Sequence, residues 1–363
     1  MISFIVGRGM GHLGRCISIV NLLRAKRKKV RIYAFDKTHK YLKQNLSKKC
    51  DLKLYRKGKV SGGRKANVII HDWRPEIPRL RKGRTFRKSA KMVSLYHSDF
   101  FVHRRDDRKM RRYKRHILKV ANQTDVFLHM NVKPPQKAPK KLKCLYIPIP
   151  LISRKSTTSQ AKVKKQLGLK SNEPFILVQM GSGLGDGRYK SIRKWYKIIN
   201  RLAKKHRFVI AGQFKDEKFK FDKRVIQAPL FPNGKDLVRA AELVITKPGM
   251  GILVDCISTQ TPILMLPPDT SERKQKVRML KDIMRSDIAC VNKPKQLGRK
   301  IEQALKHRST FKRKFKQIRT DGAKIASRII TKLEKIPRRK LKKHRSQLCS
   351  LSPYCRKLKR RKK

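Results

Sequence analysis

The chain has 363 residues, enough for two domains with cores of their own. It carries 98 Lys and Arg against 23 Asp and Glu, a formal net charge of +75, yet 39% of its residues are hydrophobic, which excludes a disordered polycation. Basic residues run through the whole sequence, including the predicted helix faces 24–29 and 109–115, so the charge attracts nucleic acid, anionic lipid and phosphorylated ligands without selecting among them.

In chain order, the apolar run 2–6 reads as a buried strand, 13–23 as an amphipathic helix and 30–35 as a second strand. Between the first two stands Gly7-Arg-Gly-Met-Gly-His12, and Gly9 to Gly14 satisfies GxGxxG, with Asp36 at the end of the second strand. That pattern alone leaves open a plain dinucleotide site or a tight turn without a ligand. Short apolar runs at 68–70, 92–96 and 126–130 alternate with basic, helix-like stretches, the pattern of a parallel sheet covered by helices. The first ends in His71-Asp72-Trp73 and the second is followed by His97 and Asp99; strand ends of this kind are where α/β sheets bind ligands. The Pro- and Lys-rich stretch 131–150 reads as the exit from a first domain and 153–160 as a polar linker.

The second half repeats the grammar. Strands are expected at 175–178, 208–211, 225–228, 243–246 and 263–266, and helices at 192–204, 237–241, 251–258, 274–284 and 295–307. Glycine-rich turns follow two of these strands, Gly181-Ser-Gly-Leu-Gly-Asp-Gly187 and Lys247-Pro-Gly-Met-Gly251. Glycine lets backbone N–H groups approach an anion, and a following helix adds its positive end. From 335 on the sequence is almost purely basic and is expected to form a mobile tail.

The stretch from Ile245-Thr-Lys-Pro-Gly-Met-Gly251 through Thr261-Pro-Ile-Leu-Met-Leu-Pro267 resembles the nucleotide-sugar end of the GT-B glycosyltransferases. It is most similar to family 28, the MurG and monogalactosyldiacylglycerol synthase type. The resemblance spans residues 1–330. It implies an α/β protein of two doubly wound, Rossmann-like domains facing across a cleft: 1–150 for the acceptor, 151–330 for the nucleotide sugar, and 331–363 as the tail. The implied reaction is metal-independent, inverting transfer of a hexosyl or N-acetylhexosaminyl group from a UDP-sugar, with no cofactor besides that donor. The implied acceptor is lipid-linked, at the cytosolic face of a membrane, and the basic tail from Arg338 suits anionic lipid.

By the same resemblance, Gly181, Ser182, Gly183, Lys247, Gly249 and Gly251 cradle the diphosphate, Asp255 holds the ribose, and Glu272 and Gln275 face the sugar. Asp255 stands where the family carries the longer Glu, and Gln260 where it carries Gly. His12 is implied as general base, an imidazole titrating near neutrality being suited to that task. Asp99 is taken as its catalytic partner, and Gly9, Gly11, Arg15, Asp72 and His97 as acceptor contacts. Spacing does not choose between Asp72 and Asp99 as the carboxylate that orients the base.

Two other classes stay open. One is a nucleotide-sugar hydrolase or 2-epimerase on the same fold; the other is a nucleic-acid binder on a degenerate GT-B scaffold, held by non-specific charge. Two Trp and 7% aromatic residues supply base stacking poorly. There is no DxD, P-loop, HExxH, GxSxG or paired CxxC motif. Seven widely spaced Cys read as reduced thiols, and the N-terminal run is too short for a signal peptide, so a cytoplasmic location is expected.

Overall fold

The computed structural model describes residues 1–355 apart from 8, 47–49, 57–58, 82, 84, 105, 137–138, 140, 182–188 and 214–217, with the backbone alone at 36, 37, 40, 44 and 45. The chain divides into two compact units. The first contains the N-terminal strand, His12–Ser153 and the chain from Arg319 onward; the second contains Arg154–Ile318 together with Gly9–Gly11.

The first unit runs β1 (Ile2–Ile5), α1 (Met10–Ala25), β2 (Val30–Ala34), α2 (Asp36–Asn45), β3 (Asp51–Leu54), β4 (Val68–Asp72), β5 (Lys91–Tyr96), α3 (Arg108–Ala121), β6 (Val126–Met130) and β7 (Leu145–Ile149). Its seven strands stand in the order β3-β2-β1-β4-β5-β6-β7, every neighbouring pair parallel. The strands β1, β4, β5 and β6 are buried on both faces, which is why they read as continuous apolar runs. The order reverses between β1 and β4, and the ends of those two strands flank the crevice where doubly wound sheets bind ligands.

The second unit runs α4 (Gln160–Gln166), β8 (Ile176–Gln179), α5 (Ile192–Leu202), β9 (Phe208–Ile210), β10 (Ile226–Gln227), α6 (Gly234–Ala240), β11 (Leu243–Thr246), α7 (Met250–Thr259), β12 (Ile263–Met265), α8 (Ser271–Met284), α9 (Leu297–Lys306) and α10 (Arg308–Lys316). Its parallel sheet has the order β10-β9-β8-β11-β12, with the reversal between β8 and β11. Side chains of Ser159, Asn233 and Thr270 cap α4, α6 and α8, the short polar residues that helix starts favour.

The structure corrects two boundaries. The chain re-enters the first unit at Arg319 rather than ending its second domain at 330. It does so because α11 (Gly322–Lys335) has a continuous apolar stripe, Ile325, Ala326, Ile329, Ile330 and Leu333, all buried. The expected mobile tail is folded as far as it is described. Leu341, Leu348, Tyr354 and Cys355 are buried, and α12 (Arg345–Ser350) precedes Ser352, whose hydroxyl donates to the Pro148 carbonyl of edge strand β7. Buried Lys91 donates its ammonium to the carbonyl of Ile336, at the C-terminal end of α11, at 3.1 Å, and Arg338 reaches Asp125 at 3.0 Å. A cation at a helix C-terminus is favoured by the helix dipole. Asp106 and Asp107 lie just before α3, and Asp107 caps it by accepting from the N–H of Met110 at 2.7 Å.

Candidate active site

At the first reversal point, β1 leads into the glycine turn and α1, while β4 ends in Asp72. Parallel register sets Ile5 opposite His71, so Asp72 stands level with the start of the turn. A Cβ on Gly7 would come within 2.5 Å of the Asp72 carbonyl oxygen and 2.7 Å of His12 Nδ1, so glycine is required for this close approach. Gly9 takes φ +101°, a left-handed conformation that also favours glycine. Gly11 is the second residue of α1.

His12 Nδ1 lies 2.9 Å from Asp72 Oδ1. Asp72 is fully buried and is gripped by Arg15, whose Nε donates to Oδ2 at 3.2 Å and Nη2 to Oδ1 at 2.8 Å. Arg15 Nη2 also sits 2.8 Å from His12 Nδ1. Nδ1 can either donate to the Asp72 carboxylate or accept from Arg15 Nη2; in the tautomer that donates to Asp72, the free lone pair is on Nε2. Burial alone would raise the Asp72 pKa; Arg15 and then His12 overcome it and hold the carboxyl at about 2. Cys16 Sγ stands 3.8 Å from Asp72 Oδ2, its thiol pushed up by burial and by that carboxylate, so it remains a protonated donor.

His97 is nearby. Its ring centroid is 5.9 Å from that of His12, and its ring stacks on Tyr96. Its Nδ1 lies 3.1 Å from Ser98 Oγ, and the Ser98 carbonyl is held by buried His129 at 3.0 Å. Asp99 is elsewhere engaged. It accepts from His103 Nε2 at 2.9 Å, from Lys114 Nζ at 2.7 Å and from the N–H of Phe101 at 3.0 Å. Of the two carboxylates between which spacing does not choose, the one beside His12 is Asp72. Arg15, expected as an acceptor contact, is buried and spent on Asp72; its i+3 spacing from His12 on one helix face was the signal in the sequence. His71 is a core residue: its Nδ1 accepts from the N–H of Arg74 at 3.3 Å, and burial drives its pKa down to about 4, so it stays neutral.

In the second unit, the ends of β8 and β11 flank the other reversal point. Gly181 takes φ +96°, and a Cβ there would lie 2.7 Å from Lys247 Nζ, so the ammonium rests over this glycine. Gln179 Oε1 accepts from the N–H of Gly181 at 3.2 Å, while Thr246 Oγ1 donates to the Gln179 carbonyl at 2.6 Å, pinning the two loops together. Gly249 is the N-cap of α7 and Gly251 its second residue, so the helix's free N–H groups open at this edge. Burial, reinforced by Arg273, pulls the Lys247 pKa down to about 8 against Asp269 and Glu272. Arg273 is ion-paired with Asp269, which also accepts from the N–H of Lys190. Glu272 is half exposed in the first turn of α8, 3.6 Å from Lys276, and Gln275 lies one turn on. Ser182 and Gly183 lie outside the described residues.

Asp255 is buried on α7, and its Oδ2 accepts from Arg154 Nη2 at 3.3 Å. Burial raises its pKa, with Arg154 and Lys235 opposing. Lys235 donates to the Arg154 carbonyl at 2.7 Å, so Arg154 ties the entry segment of the unit to α6 through Lys235 and to α7 through Asp255. Among the described residues, no group of three or more His, Cys, Asp or Glu could hold a metal ion, and no helix is long and apolar enough to cross a membrane.

Two parallel-sheet Rossmann-like units, each with its polar loops at the reversal point, make up the GT-B fold, and solved structures share it. UGT89C1 of Arabidopsis thaliana, complexed with UDP, aligns with a TM-score of 0.62 and 13% identity over 96% of this chain and 99% of that one. Apo UGT2 of Phytolacca americana gives 0.59 and 11% over 92% and 99%. The Streptomyces glycosyltransferase SsfS6, complexed with thymidine diphosphate, gives 0.54 and 13% over 91% and 99%. At these identities the likeness establishes the fold. No protein-family model and no curated protein matches the chain.

Proposed function

We propose that the protein is a nucleotide-sugar-dependent glycosyltransferase. The observation that carries this reading is the His12–Asp72 pair at the ligand-binding edge of the first sheet, on a fold whose second sheet offers Gly181, Lys247 and the N-terminus of α7 at the equivalent edge. His12 Nε2 takes the proton from an acceptor hydroxyl as its oxygen attacks the anomeric carbon. The bond from that carbon to the diphosphate breaks, and the negative charge that develops on the leaving group is met by Lys247 and by the N–H groups of α7. Asp72 holds the ring with Nδ1 protonated and favours the imidazolium that forms; Arg15 fixes the carboxylate.

UDP is the nucleotide we favour, on the Lys247–Gly251 and Thr261–Pro267 motifs that resemble family 28. Glu272 and Gln275 are proposed to meet the sugar, a hexose or N-acetylhexosamine, and Asp255 the ribose, which requires Arg154 to share it. A lipid-linked acceptor at a membrane face remains part of the reading on the family resemblance and the basic charge alone.

The experiment is a thermal-shift titration with UDP at high salt, followed by turnover of UDP-sugars. A side chain at Gly249 would meet only ordinary van der Waals neighbours, so Gly249→Asp is expected to fold. UDP should stabilise the wild type and His12→Ala but not Gly249→Asp, and His12→Ala should lose about 10²- to 10⁴-fold in UDP-sugar turnover. Absence of any uridine-nucleotide shift, or full turnover in His12→Ala, rejects the proposal.

A further inference from the structure

The edge that carries His12 holds a second polar feature. The loop after β5 is built around Lys114 of α3, a lysine with 1% of its side chain exposed. Its ammonium donates to Asp99 at 2.7 Å, to the Phe101 carbonyl at 2.6 Å and to Asp106 at 2.9 Å. Asp106 accepts in addition from the N–H of His103 at 2.7 Å. The loop is thus fixed to the helix by buried, charge-assisted bonds, which hold geometry better than exposed ones.

On the outer face of that helix, Arg108, Arg111, Arg112 and Arg115 follow one another at i, i+3, i+4 and i+7. With Asp106 they line a solvent-open depression of about 520 Å³. The one acidic residue of the lining is already paired with Lys114. Arg111 donates to the Arg104 carbonyl at 2.8 Å. Among the described residues, none of the four guanidinium groups has a carboxylate partner. Four like charges on adjacent turns repel one another, and an anion in the depression removes that cost.

Another side of α3 carries an aromatic contact to Trp73. His116, four residues on from Arg112, meets the Trp73 ring edge-on with centroids 6.1 Å apart, and Trp73 directly follows Asp72. Trp73 has φ +49°, a left-handed backbone that a bulky residue rarely adopts. Tyr96 and Tyr113 hold its ring in place at 4.8 and 6.1 Å. Trp73 thus joins the residue after Asp72 to the packed side of α3.

We propose that this site binds a phosphate group. Guanidinium forks match phosphate oxygens in pairs, and four around one concavity suit a mono- or diphosphate better than a carboxylate.

The test uses the full chain, inorganic pyrophosphate and intrinsic tryptophan fluorescence, with UDP saturating to fill any diphosphate site of the second unit. The variant is Arg111→Gln/Arg112→Gln/Arg115→Gln, all exposed positions. A charge-matched control, Lys312→Gln/Arg313→Gln/Lys316→Gln on exposed positions of α10, removes the same charge elsewhere. Saturable binding by wild type and control, weakened about tenfold or more in the α3 variant, is the expected result. Equal losses in both variants would mean that only the diffuse field attracts the anion, and absence of saturable binding by the wild type would be as damaging; either overturns the proposal. Vesicles containing phosphatidylglycerol form the second arm. If the α3 variant keeps pyrophosphate and loses only the vesicles, the face is a membrane contact and the phosphate site is rejected.

Discussion

Asp72 is a carboxylate whose burial opposes its charge and whose two cationic neighbours restore it. Its folded pKa, about 2, lies below the usual value near 3.9 for an unfolded chain, so its contribution to stability is complete above about pH 4 and is lost as pH falls through 2. Lys247 shows the reverse pattern, an ammonium weakened by burial and by Arg273. It is charged below about pH 8 and neutral above it, so affinity for UDP should fall by up to about tenfold per pH unit beyond 8. Lys247→Arg keeps its charge and should flatten that limb; calorimetric titration from pH 6.5 to 9.5 compares the two. A fall of the same steepness in the arginine variant would remove Lys247 from the phosphate site. His12 was legible in the sequence because it stands in a glycine turn before a helix. Its partner was not. Asp72 and Asp99 both follow predicted strands, and the choice depends on the register of β1 against β4 and on Lys114 claiming Asp99, both non-local facts.

At the level of single elements, α7 ends on Gln260 in a left-handed conformation, φ 60° and ψ 26°, where the N–H of the cap still bonds back into the helix. Glycine at that position carries no Cβ penalty, so Gln260→Gly should stabilise the protein by about 1 kcal/mol in chemical denaturation. A neutral or destabilising result would mean that the glutamine side chain contributes packing that offsets the strain. The strands buried on both faces, β1, β4, β5, β6, β8 and β11, could be read from their apolar runs. The strands at the rim of the first sheet could not. β3 has the sequence Asp-Leu-Lys-Leu and is half exposed, and β7 carries Pro148, which an edge strand tolerates because that side of the ladder is unpaired. Helix α11 was hidden by its charge, since lysine and arginine crowd the solvent face and mask the apolar stripe beneath; α12, six residues long, is too short to show a periodic pattern.

Across the whole molecule, the C-terminal segment belongs to the first unit. Deleting residues 337–363 removes the buried side chains Leu341, Leu348 and Tyr354 and the Arg338–Asp125 pair. At about 1.5–3 kcal/mol for each large apolar side chain, the truncated protein should lose several kcal/mol and melt about 10 °C lower, or fail to stay soluble. A truncated protein with an unchanged melting temperature would show that the segment is dispensable, as its composition alone had implied. The return of the chain at Arg319 has a consequence for synthesis on the ribosome. The second unit is an insertion within the first, so its entire sequence is made before the first unit receives its last pieces. About 170 residues separate the end of β7 from the start of α11, so at 5–20 residues per second the edge of the nascent first sheet waits roughly 10–35 s for its cover. During that interval β7 presents an open ladder to whatever binds nascent chains, with Pro148, which has no N–H to offer, as a built-in deterrent to mispairing.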